Sequence, residues 1–387
     1  RPEGLATVPC MTAYVGPTYR WLRTGDEAFA AMLTAIERAR ASIALEVYIF
    51  SGDLLGQRFR DALVRACARA VRVRVLVDAF GSLTLDYDFW EPLERAGGQF
   101  RWFNPLSLGR LEFRDHRKLL VCDGRLAIVG GFNIAGEYEG DGISRGWHDL
   151  GLQLEGTLAG QLETAFEHSF ARADFRYKRF MRLRRLPVPN TIFAPDGAVL
   201  LSGPGRGFNP IKRALKHDLL GAGSAKIISA YFLPTWRIRR ELTRLARRGG
   251  RVQLILAGRS DVPLSQLATR RLYAGLLRAG IEIYEYRPQI LHAKLIVLDD
   301  IVYIGSANLD TRSLHINYEL LVRLPSPTLA AEARAIFDED LEHCRRIDPA
   351  AWRRSRTFWN KLKERWAYFL LVRVDRYVAR RQLKTLR

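Results

Sequence analysis

The chain repeats itself, and this repeat constrains its fold more than any other feature. In each half an apolar run typical of a strand precedes an amphipathic run typical of a helix and a second apolar run. These segments are Ser42–Phe50, Leu54–Ala70 and Val71–Val77 in the first half, and Ala225–Leu233, Trp236–Arg248 and Val252–Leu256 in the second. Strands that alternate with helices of about a dozen residues predict α/β units. We therefore expect two similar α/β/α lobes with mixed, largely parallel sheets, related by pseudo-twofold symmetry.

The two halves divide at a proline-rich stretch. Three prolines fall between residues 187 and 195, directly after a basic run. Prolines interrupt helices and central strands, so this stretch is typical of a linker. We expect a first lobe over residues 1–190, a second over 191–350, and a basic amphipathic segment over 351–387.

Each half also carries the same chemical motif. His116-x-Lys118-x4-Asp123 in the first half returns as His292-x-Lys294-x4-Asp299 in the second. Residues two apart in a strand share a face, so each histidine should project beside its lysine. That pairing places a nucleophile or base next to a fixed cation. Lobes related by a pseudo-twofold axis can bring both pairs into one site.

The aspartates of the motif have two candidate roles. Asp123-Gly124 lies between apolar runs and is a strong signal for a two-residue hairpin, and Asp299-Asp300 occupies the matching place. Asp123 and Asp299 are candidate catalytic residues by their place in the motif. Their position seven residues from each histidine instead favours a role in bracing the turn.

Small and polar residues follow each hairpin. If the hairpin folds back, Gly130-Gly131 and Gly305-Ser306 return beside the His-Lys end. Gly131 and Ser306 would then let a phosphate approach the backbone closely. Asn133 and Asn308 could donate hydrogen bonds to its oxygens, which makes these four residues candidate phosphate ligands.

An acid begins a further strand in each half, at Asp149 and at Glu319. A carboxylate bonded to one imidazole nitrogen fixes the tautomer and raises the basicity of the other nitrogen. We expect these two acids to orient the histidines. A third acid, Glu46, lies within an apolar strand, where it either lines the site or finds a buried partner.

The composition limits which binding partners and which cellular compartment we expect. The formal charge of +20 indicates an anionic partner, and the four cysteines lack the paired spacing of a zinc site, so we expect reduced thiols and no metal. No run approaches the ~18 to 20 apolar residues of a spanning helix, and no secretory leader is present. The chain opens at Arg1 without an initiator methionine, which leaves room for a removed N-terminal segment.

The doubled motif resembles the phospholipase D superfamily. The stretches LEVYIF, WHDLGLQLEG and NLDTRSLHINYELLV are similar to its bacterial cardiolipin synthase branch, and the resemblance covers roughly residues 27 to 345. Two departures stand out. Gly131 occupies the place of Ser306, and the second copy is one residue shorter between Asp299 and Gly305.

The resemblance implies two phospholipase D-type lobes and a mechanism without cofactor. It assigns His116 as the nucleophile that forms a phosphohistidine and His292 as the acid and base. The implied enzyme is a phosphatidyltransferase that moves a phosphatidyl group from phosphatidylglycerol or a related lipid to a lipid alcohol. The alternatives are a hydrolase of lipid or nucleic-acid phosphodiesters and a non-catalytic anion-binding protein.

The C-terminal segment favours a lipid over a nucleic acid. From Trp352 to Arg387 it holds twelve Lys or Arg against two acids, with aromatic residues interleaved. This pattern predicts a helix on an anionic membrane or, alternatively, a helix docked on the core. A basic run, Arg172–Arg185, either flanks a lipid entrance or forms a solvated face. We expect peripheral attachment at the cytoplasmic face of a bacterial inner membrane; the sequence is silent on oligomeric state.

Overall fold

The chain forms two mixed sheets, one from each half of the sequence. The computed structural model describes residues 17–86, 88–104, 113–173, 191–204, 209–374 and 377. Helices cover both sheets, so the predicted pair of mixed α/β lobes is confirmed. Most of the basic run Arg172–Arg185 lies outside the described residues. Cys67, Cys122 and Cys344 are free thiols, and Cys10 lies outside the described part of the chain.

The first lobe is built on a seven-stranded sheet. Its elements are β1 (Thr18–Leu22), α1 (Gly25–Arg38), β2 (Ser42–Val47), α2 (Leu54–Ala68), β3 (Arg72–Asp78), α3 (Glu91–Arg95), β4 (Gln99–Phe103), β5 (Leu119–Cys122), β6 (Leu126–Gly130), a 3₁₀ turn (Gly136–Tyr138), β7 (Gly151–Glu155) and α4 (Thr157–Arg172). The strand order is β1-β7-β6-β5-β2-β3-β4. Side chains cap the first helices: Thr24 accepts from the Glu27 amide at 3.1 Å and Asp53 from the Gly56 amide at 2.9 Å.

The second lobe repeats this plan in a nine-stranded sheet. Its elements are β8 (Thr191–Ala194), β9 (Gly197–Ser202), α5 (Pro210–Gly221), β10 (Ser224–Ser229), α6 (Trp236–Arg247), β11 (Arg251–Ala257), α7 (Pro263–Arg278), β12 (Glu282–Tyr286), β13 (Lys294–Leu298), β14 (Ile301–Gly305), α8 (Thr311–His315), β15 (Glu319–Pro325), α9 (Pro327–Glu342) and β16 (Cys344–Arg346). The strand order is β16-β12-β11-β10-β13-β14-β15-β9-β8. The strands β10 to β15 therefore correspond to β2 to β7.

Parallel pairing is concentrated in one part of each sheet. The strands β2, β3 and β4 run parallel, as do β10, β11 and β12, because helices or longer connections cross between them. The motif strands are joined by tight hairpins and pair antiparallel. The parallel character predicted from the sequence thus belongs to the three-stranded units, and the hairpins make the sheets mixed.

Apolar clusters lie on both faces of each sheet. A central cluster draws on both sheets and on the helices between them, with Val129, Phe166, Val302 and Phe337 among its fully buried members. Two outer clusters lie beneath α1 and α2 in the first lobe and beneath α5, α6 and α7 in the second. Burial of the central cluster holds the two sheets in one arrangement, which positions the residues at their ends.

The C-terminal helices dock on the second lobe. They are α10 (Pro349–Arg354) and α11 (Phe358–Phe369), followed by a π-helical turn (Leu370–Val374). The Trp352 ring lies 4.9 Å from the Tyr273 ring of α7, and Ala367 is buried. One face of α11 therefore packs on the core, while Trp359 and Trp366 on other positions are exposed. Of residues 375 to 387, only residue 377 is described.

Candidate active site

Two tight hairpins carry the repeated motif. Leu119 pairs with Val129 across β5 and β6, and Leu295 pairs with Ile304 across β13 and β14. This register returns the small residues beside the His-Lys end, as the sequence predicts. The two-residue hairpin predicted at Asp123-Gly124 is wrong in length, because that turn holds three residues, 123 to 125, whereas the turn of the second lobe holds two, 299 and 300. The second copy is therefore one residue shorter because its turn is shorter, and this difference lies away from the histidines.

The structure does not bring the motif aspartates to the histidines. Asp123 and Asp299 adopt positive φ angles of 56° and 48° at the far ends of their hairpins. The Asp123 carboxylate accepts from the amides of Ala41 at 2.7 Å and Ser42 at 2.9 Å. Asp299 accepts from the amides of Gly223 and Ser224, both at 2.8 Å. Both aspartates join their turn to the start of a neighbouring strand.

Each histidine segment pairs with the opposite lobe. His116 and Lys118 lie in the extended segment before β5 and His292 lies just before β13, so the motif begins outside the regular strand. The His116 amide donates to the Tyr318 carbonyl at 3.0 Å, and the His292 amide donates to the His148 carbonyl at 2.7 Å. Tyr318 and His148 are the residues that precede the two predicted orienting acids.

This backbone pairing crosses the acids between the lobes. His116 Nδ1 lies 3.0 Å from Glu319 Oε1, and His292 Nδ1 lies 2.6 Å from Asp149 Oδ2. Both carboxylates are fully buried. A carboxylate at this distance holds the proton on Nδ1, which leaves the lone pair of the neutral ring on Nε2. The predicted acids thus contact the histidines, and each serves the ring of the other lobe.

The residues after the hairpins contact these acids. Ser306 Oγ donates to Glu319 Oε2 at 2.5 Å and accepts from the Leu320 amide at 3.0 Å. At Gly131 a Cβ atom would lie 2.1 Å from Asp149 Oδ1, so only glycine leaves room for that carboxylate. Glycine is required at position 131 for a steric reason, whereas Ser306 supplies a hydrogen bond to the acid.

The two lysines are buried beside the histidines. Lys118 Nζ donates to the His116 carbonyl at 2.7 Å, and Lys294 Nζ lies 2.9 Å from His292 Nδ1. Burial, followed by the charge of Lys294, lowers the pKa of Lys118 to about 7, and burial also lowers the pKa of Lys294. Because the charge of Lys294 contributes to the pKa shift of Lys118, the two motifs lie within electrostatic range of each other.

Both histidines are shifted towards the neutral form. Burial, with the charge of Lys294 as the next cause, lowers the pKa of His292 to about 4. Burial also lowers the pKa of His116, against the opposing attraction of Glu319. The pKa of Glu319 itself is lowered: its burial would raise the value, but the interactions with His116, Lys118 and Ser306 together outweigh that effect. An empty site therefore holds two neutral rings and an ionised Glu319 at neutral pH.

The asparagines hold neighbouring backbone. Asn133 Oδ1 accepts from the Ile49 amide at 3.0 Å, and its Nδ2 donates to the Tyr138 hydroxyl at 2.6 Å. Asn308 Oδ1 accepts from the Tyr231 amide at 3.4 Å. Each asparagine thus holds the loop that follows the first parallel strand of its lobe, β2 or β10.

Aromatic rings form the walls of the site, and sequence reasoning did not assign them to it. The Tyr48 ring lies 5.0 Å from the His116 ring, and the rings of Tyr138 and Trp147 lie 5.2 Å and 5.7 Å from that of His292. The repeat could have identified Tyr48 as a site residue, because Tyr48 and Tyr231 occupy equivalent positions in the two halves. Both follow the end of the first strand of their parallel unit.

A cluster of acids supports the His116 segment from below. Asp78 accepts from the Asp115 amide at 2.8 Å and from the amides of its own turn. Glu46 is buried 3.6 Å from Arg117 Nη1. Burial, followed by the charge of Asp115, raises the pKa of Glu46 well above its usual range, whereas the charge of Arg117 opposes the shift. Glu46 and Lys118 both contribute to the lining of a small cavity of about 20 Å³.

Two further features concern metal binding and membrane crossing. Within the described ranges, no group of three or more His, Cys, Asp or Glu side chains is arranged to hold a metal ion. No helix among the described residues is long and apolar enough to cross a membrane.

Comparison with known families supports the repeat. The family model described as the phospholipase D-like domain of cardiolipin synthase matches residues 32–168 and, a second time, residues 215–341. Cardiolipin synthase 1 of Bacillus cereus is 32% identical over 365 residues, which span 90% of this chain and 69% of that protein. The major cardiolipin synthase ClsA of Bacillus subtilis is 33% identical over 351 residues, 88% of this chain and 72% of that protein.

A Gram-negative relative and two solved structures extend the comparison. Cardiolipin synthase B of Salmonella typhimurium is 32% identical over 92% of this chain and 88% of its own length. Phosphatidylserine synthase of Haemophilus influenzae superposes with a TM-score of 0.72 at 15% identity, over 93% of this chain and 94% of its own. Polyphosphate kinase of Porphyromonas gingivalis gives a TM-score of 0.60 at 16% identity, over 99% of this chain and 57% of its own. These two structures share the fold.

Proposed function

This chain belongs to the phospholipase D-like family of cardiolipin synthases and is a phosphatidyltransferase, and on that premise we propose the reaction it performs. It transfers a phosphatidyl group from phosphatidylglycerol or a related phospholipid to a lipid alcohol. The crossed His-carboxylate pairs, each beside a buried lysine, carry this proposal. They supply two carboxylate-held imidazoles, and a two-step transfer at one phosphorus uses one of them as nucleophile and the other as acid and base.

In the first step His116 is the nucleophile. Its Nε2 lone pair forms a bond to phosphorus, and the bond from phosphorus to the oxygen of the leaving alcohol breaks. His292 donates a proton from Nε2 to that oxygen, so the alcohol leaves neutral. The phosphatidyl group is then held on His116 as a phosphohistidine, while Glu319 balances the charge on this ring.

The second step reverses the first with another alcohol. The hydroxyl of the acceptor lipid attacks phosphorus, and His292 Nε2 takes its proton. The bond between phosphorus and His116 breaks, which restores both rings. A glycerol hydroxyl of a second phosphatidylglycerol gives a diphosphatidyl lipid, and water in its place gives phosphatidic acid.

The buried lysines make the site selective for an anion. Lys118 and Lys294 are lowered in pKa because burial disfavours their charge, and the charge of Lys294 lowers the pKa of Lys118 further. A phosphodiester between them supplies the missing negative charge, which restores protonation and stabilises the charge that gathers in the transition state. The same anion raises the pKa of His292, whose value of about 4 in the empty site is too low for a general acid at neutral pH.

The remaining features fit attachment to a membrane. We infer that residues 1–190 and 191–350 are the two catalytic lobes and that residues 351–387 contact lipid as a peripheral element. Exposed aromatic residues on the docked helix α11 support this inference. The proposed location is the cytoplasmic face of a bacterial inner membrane.

The decisive experiment follows the products of phosphatidylglycerol. The chain is incubated with phosphatidylglycerol vesicles, and diphosphatidylglycerol, free glycerol and phosphatidic acid are measured. The proposal expects diphosphatidylglycerol and glycerol in equal amounts. Phosphatidic acid and glycerol without diphosphatidylglycerol would identify a hydrolase, and the absence of all products would exclude this donor.

Histidine variants test the assignment of roles. His116→Ala and His292→Ala should each abolish turnover, whereas His217→Ala, whose side chain is exposed, should retain it. With a donor that has a good leaving group, His292→Ala should accumulate a phosphatidyl adduct on His116, detected by mass spectrometry of the intact chain. An adduct on His292 in His116→Ala, with none on His116 in His292→Ala, would reverse the roles.

A further inference from the structure

Large exposed apolar side chains collect at one end of the molecule. Among the described residues, six of the sixteen lie just after the parallel strands β2, β3, β10 and β11, and seven more lie on the C-terminal segment from residue 358 onward. The histidines lie at this same end. Ligand sites of α/β folds generally form there, beyond the carboxyl ends of parallel strands. The opposite end of each sheet carries the hairpin turns.

The two lobes contribute equivalent apolar positions to this end. Leu54 is the first residue of α2 and is 79% exposed, and Trp236 is the first residue of α6 and is 57% exposed. After the next parallel strand of each lobe, further exposed apolar side chains follow. We call these six residues the rim: Leu54, Phe80, Leu83, Trp236, Val262 and Leu264.

The rim touches the walls of the active site. In the first lobe the loop after β3 lies against Tyr48, since a Cβ at Gly81 would lie 2.1 Å from the Tyr48 carbonyl oxygen. In the second lobe the Tyr231 hydroxyl donates to Asp261 Oδ2 at 2.6 Å, next to Val262. The rim is therefore next to Tyr48, whose ring lies 5.0 Å from the His116 ring, and to Tyr231, the equivalent residue of the second lobe.

The C-terminal helix reaches the rim from the second lobe. Arg239, the fourth residue of α6, donates to the Tyr368 hydroxyl at 3.5 Å. The last turns of α11 thus lie beside the start of α6. Trp366, Phe369 and Leu370 are exposed there, so they extend the apolar surface that begins at Trp236.

Cationic side chains are mixed into this surface. The guanidinium groups of Arg237 and Arg240 lie 5.8 Å and 5.1 Å from the Trp236 ring, and both arginines are exposed. Tryptophan and arginine together suit the boundary between acyl chains and anionic headgroups, because the ring enters the boundary while the guanidinium stays at phosphate level. The formal charge of +20 favours the same partner.

We propose that the rim is the surface by which the protein docks on a bilayer that contains anionic phospholipid. Docking in this orientation points the active-site opening at the membrane, so a phospholipid headgroup enters the site while its acyl chains stay among the rim side chains. The inference rests on the proposed function in one respect, namely that the substrate is a membrane lipid. The choice of surface rests on the rim itself.

Matched substitutions test the surface. Leu54→Gln/Trp236→Gln alters the rim, and Phe193→Gln/Leu220→Gln alters two exposed apolar residues at the opposite end, where Phe193 is 79% and Leu220 is 49% exposed. Binding of each full chain to vesicles of phosphatidylglycerol and phosphatidylcholine is measured by co-sedimentation, with circular dichroism to confirm folding. The rim variant should lose affinity by at least about tenfold, since two apolar contacts are removed, and the control should match the parent.

Two further measurements complete the test. Trp236 should be quenched by brominated acyl chains in a chain whose other exposed tryptophans are replaced by phenylalanine. Turnover of a short-chain, monomeric phosphatidylglycerol should fall much less in the rim variant than turnover of vesicles. Equal vesicle binding by the rim and control variants, or a rim variant that only dissociates a dimer, would overturn the inference. Absence of monomer turnover in the parent chain would contradict the proposed function instead, and the binding comparison would still decide the docking surface.

Discussion

Replacing Gly131 with alanine should disable the catalytic centre by displacing the carboxylate of Asp149. The added Cβ would lie 2.1 Å from Asp149 Oδ1, whereas ordinary contact begins near 3.4 Å, so the carboxylate must retreat by more than 1 Å. Asp149 Oδ2 lies 2.6 Å from His292 Nδ1, and a retreat of that size breaks the hydrogen bond. The ring then loses the partner that fixes its tautomer and orientation.

The size of the loss follows from that displacement. A misplacement of about 1 Å in a catalytic constellation costs on the order of a hundredfold in rate, and loss of the carboxylate partner of a catalytic histidine costs up to about 10⁴-fold. We expect the kcat of Gly131→Ala to fall between these limits with a smaller change in KM, because the substrate contacts remain. The assay is initial-rate formation of diphosphatidylglycerol over a range of vesicle concentrations.

A double-mutant cycle checks the cause. Gly131→Ala should add nothing to the loss produced by Asp149→Ala, since both act through the same hydrogen bond. Gly275→Ala is the matched control: its Cβ meets no atom within 4 Å on the surface of α7, and it should raise the free energy of unfolding by about 1 kcal/mol. Near-parent turnover by Gly131→Ala, or full additivity with Asp149→Ala, would refute the reasoning.

Three further predictions follow from the contacts of the site. Ser306→Ala removes the 2.5 Å hydrogen bond to Glu319 and should lower kcat about tenfold, measured by the same assay; an unchanged rate would assign the hydroxyl no positioning role. Lys118 has a pKa of about 7 in the folded chain against an ordinary 10.5, so the unfolded chain binds the extra proton between these values. The free energy of unfolding should therefore rise with pH above 7, and Lys118→Met should flatten that rise in calorimetry. Asp123→Ala and Asp299→Ala should each lower the free energy of unfolding by about 1 to 3 kcal/mol in urea titrations and leave kcat near the parent value, whereas a large loss of kcat in a folded variant would restore a catalytic role.

The sequence predicted the elements that depend on local pattern. The strand and helix periods identified the repeat, and Asp123-Gly124 identified a tight turn whose register returns Gly130 and Gly131 to the His-Lys end. The acids were found for a similar reason, since each opens an apolar strand at an equivalent place. These features are encoded within some ten to twenty residues, where periodicity and turn chemistry are decisive.

The sequence could not predict relations between the lobes. Nothing in the local pattern of Asp149 or Glu319 states which histidine it approaches, because that choice depends on backbone bridges between Asp115 and Tyr318 and between His148 and Leu291. The motif gave no sign that the side-chain amide of Asn133 bonds the Ile49 backbone amide and the Tyr138 hydroxyl. Such contacts arise from packing of distant segments, which sequence spacing does not record.

The crossed carboxylates have a consequence for how activity can be lost. Each imidazole is prepared for chemistry only while the other lobe is in place, so a half-molecule contains a histidine without its acid and an acid without its histidine. Under the proposed mechanism, a chain that has folded only one lobe therefore lacks both prepared histidines and carries out neither step of the transfer.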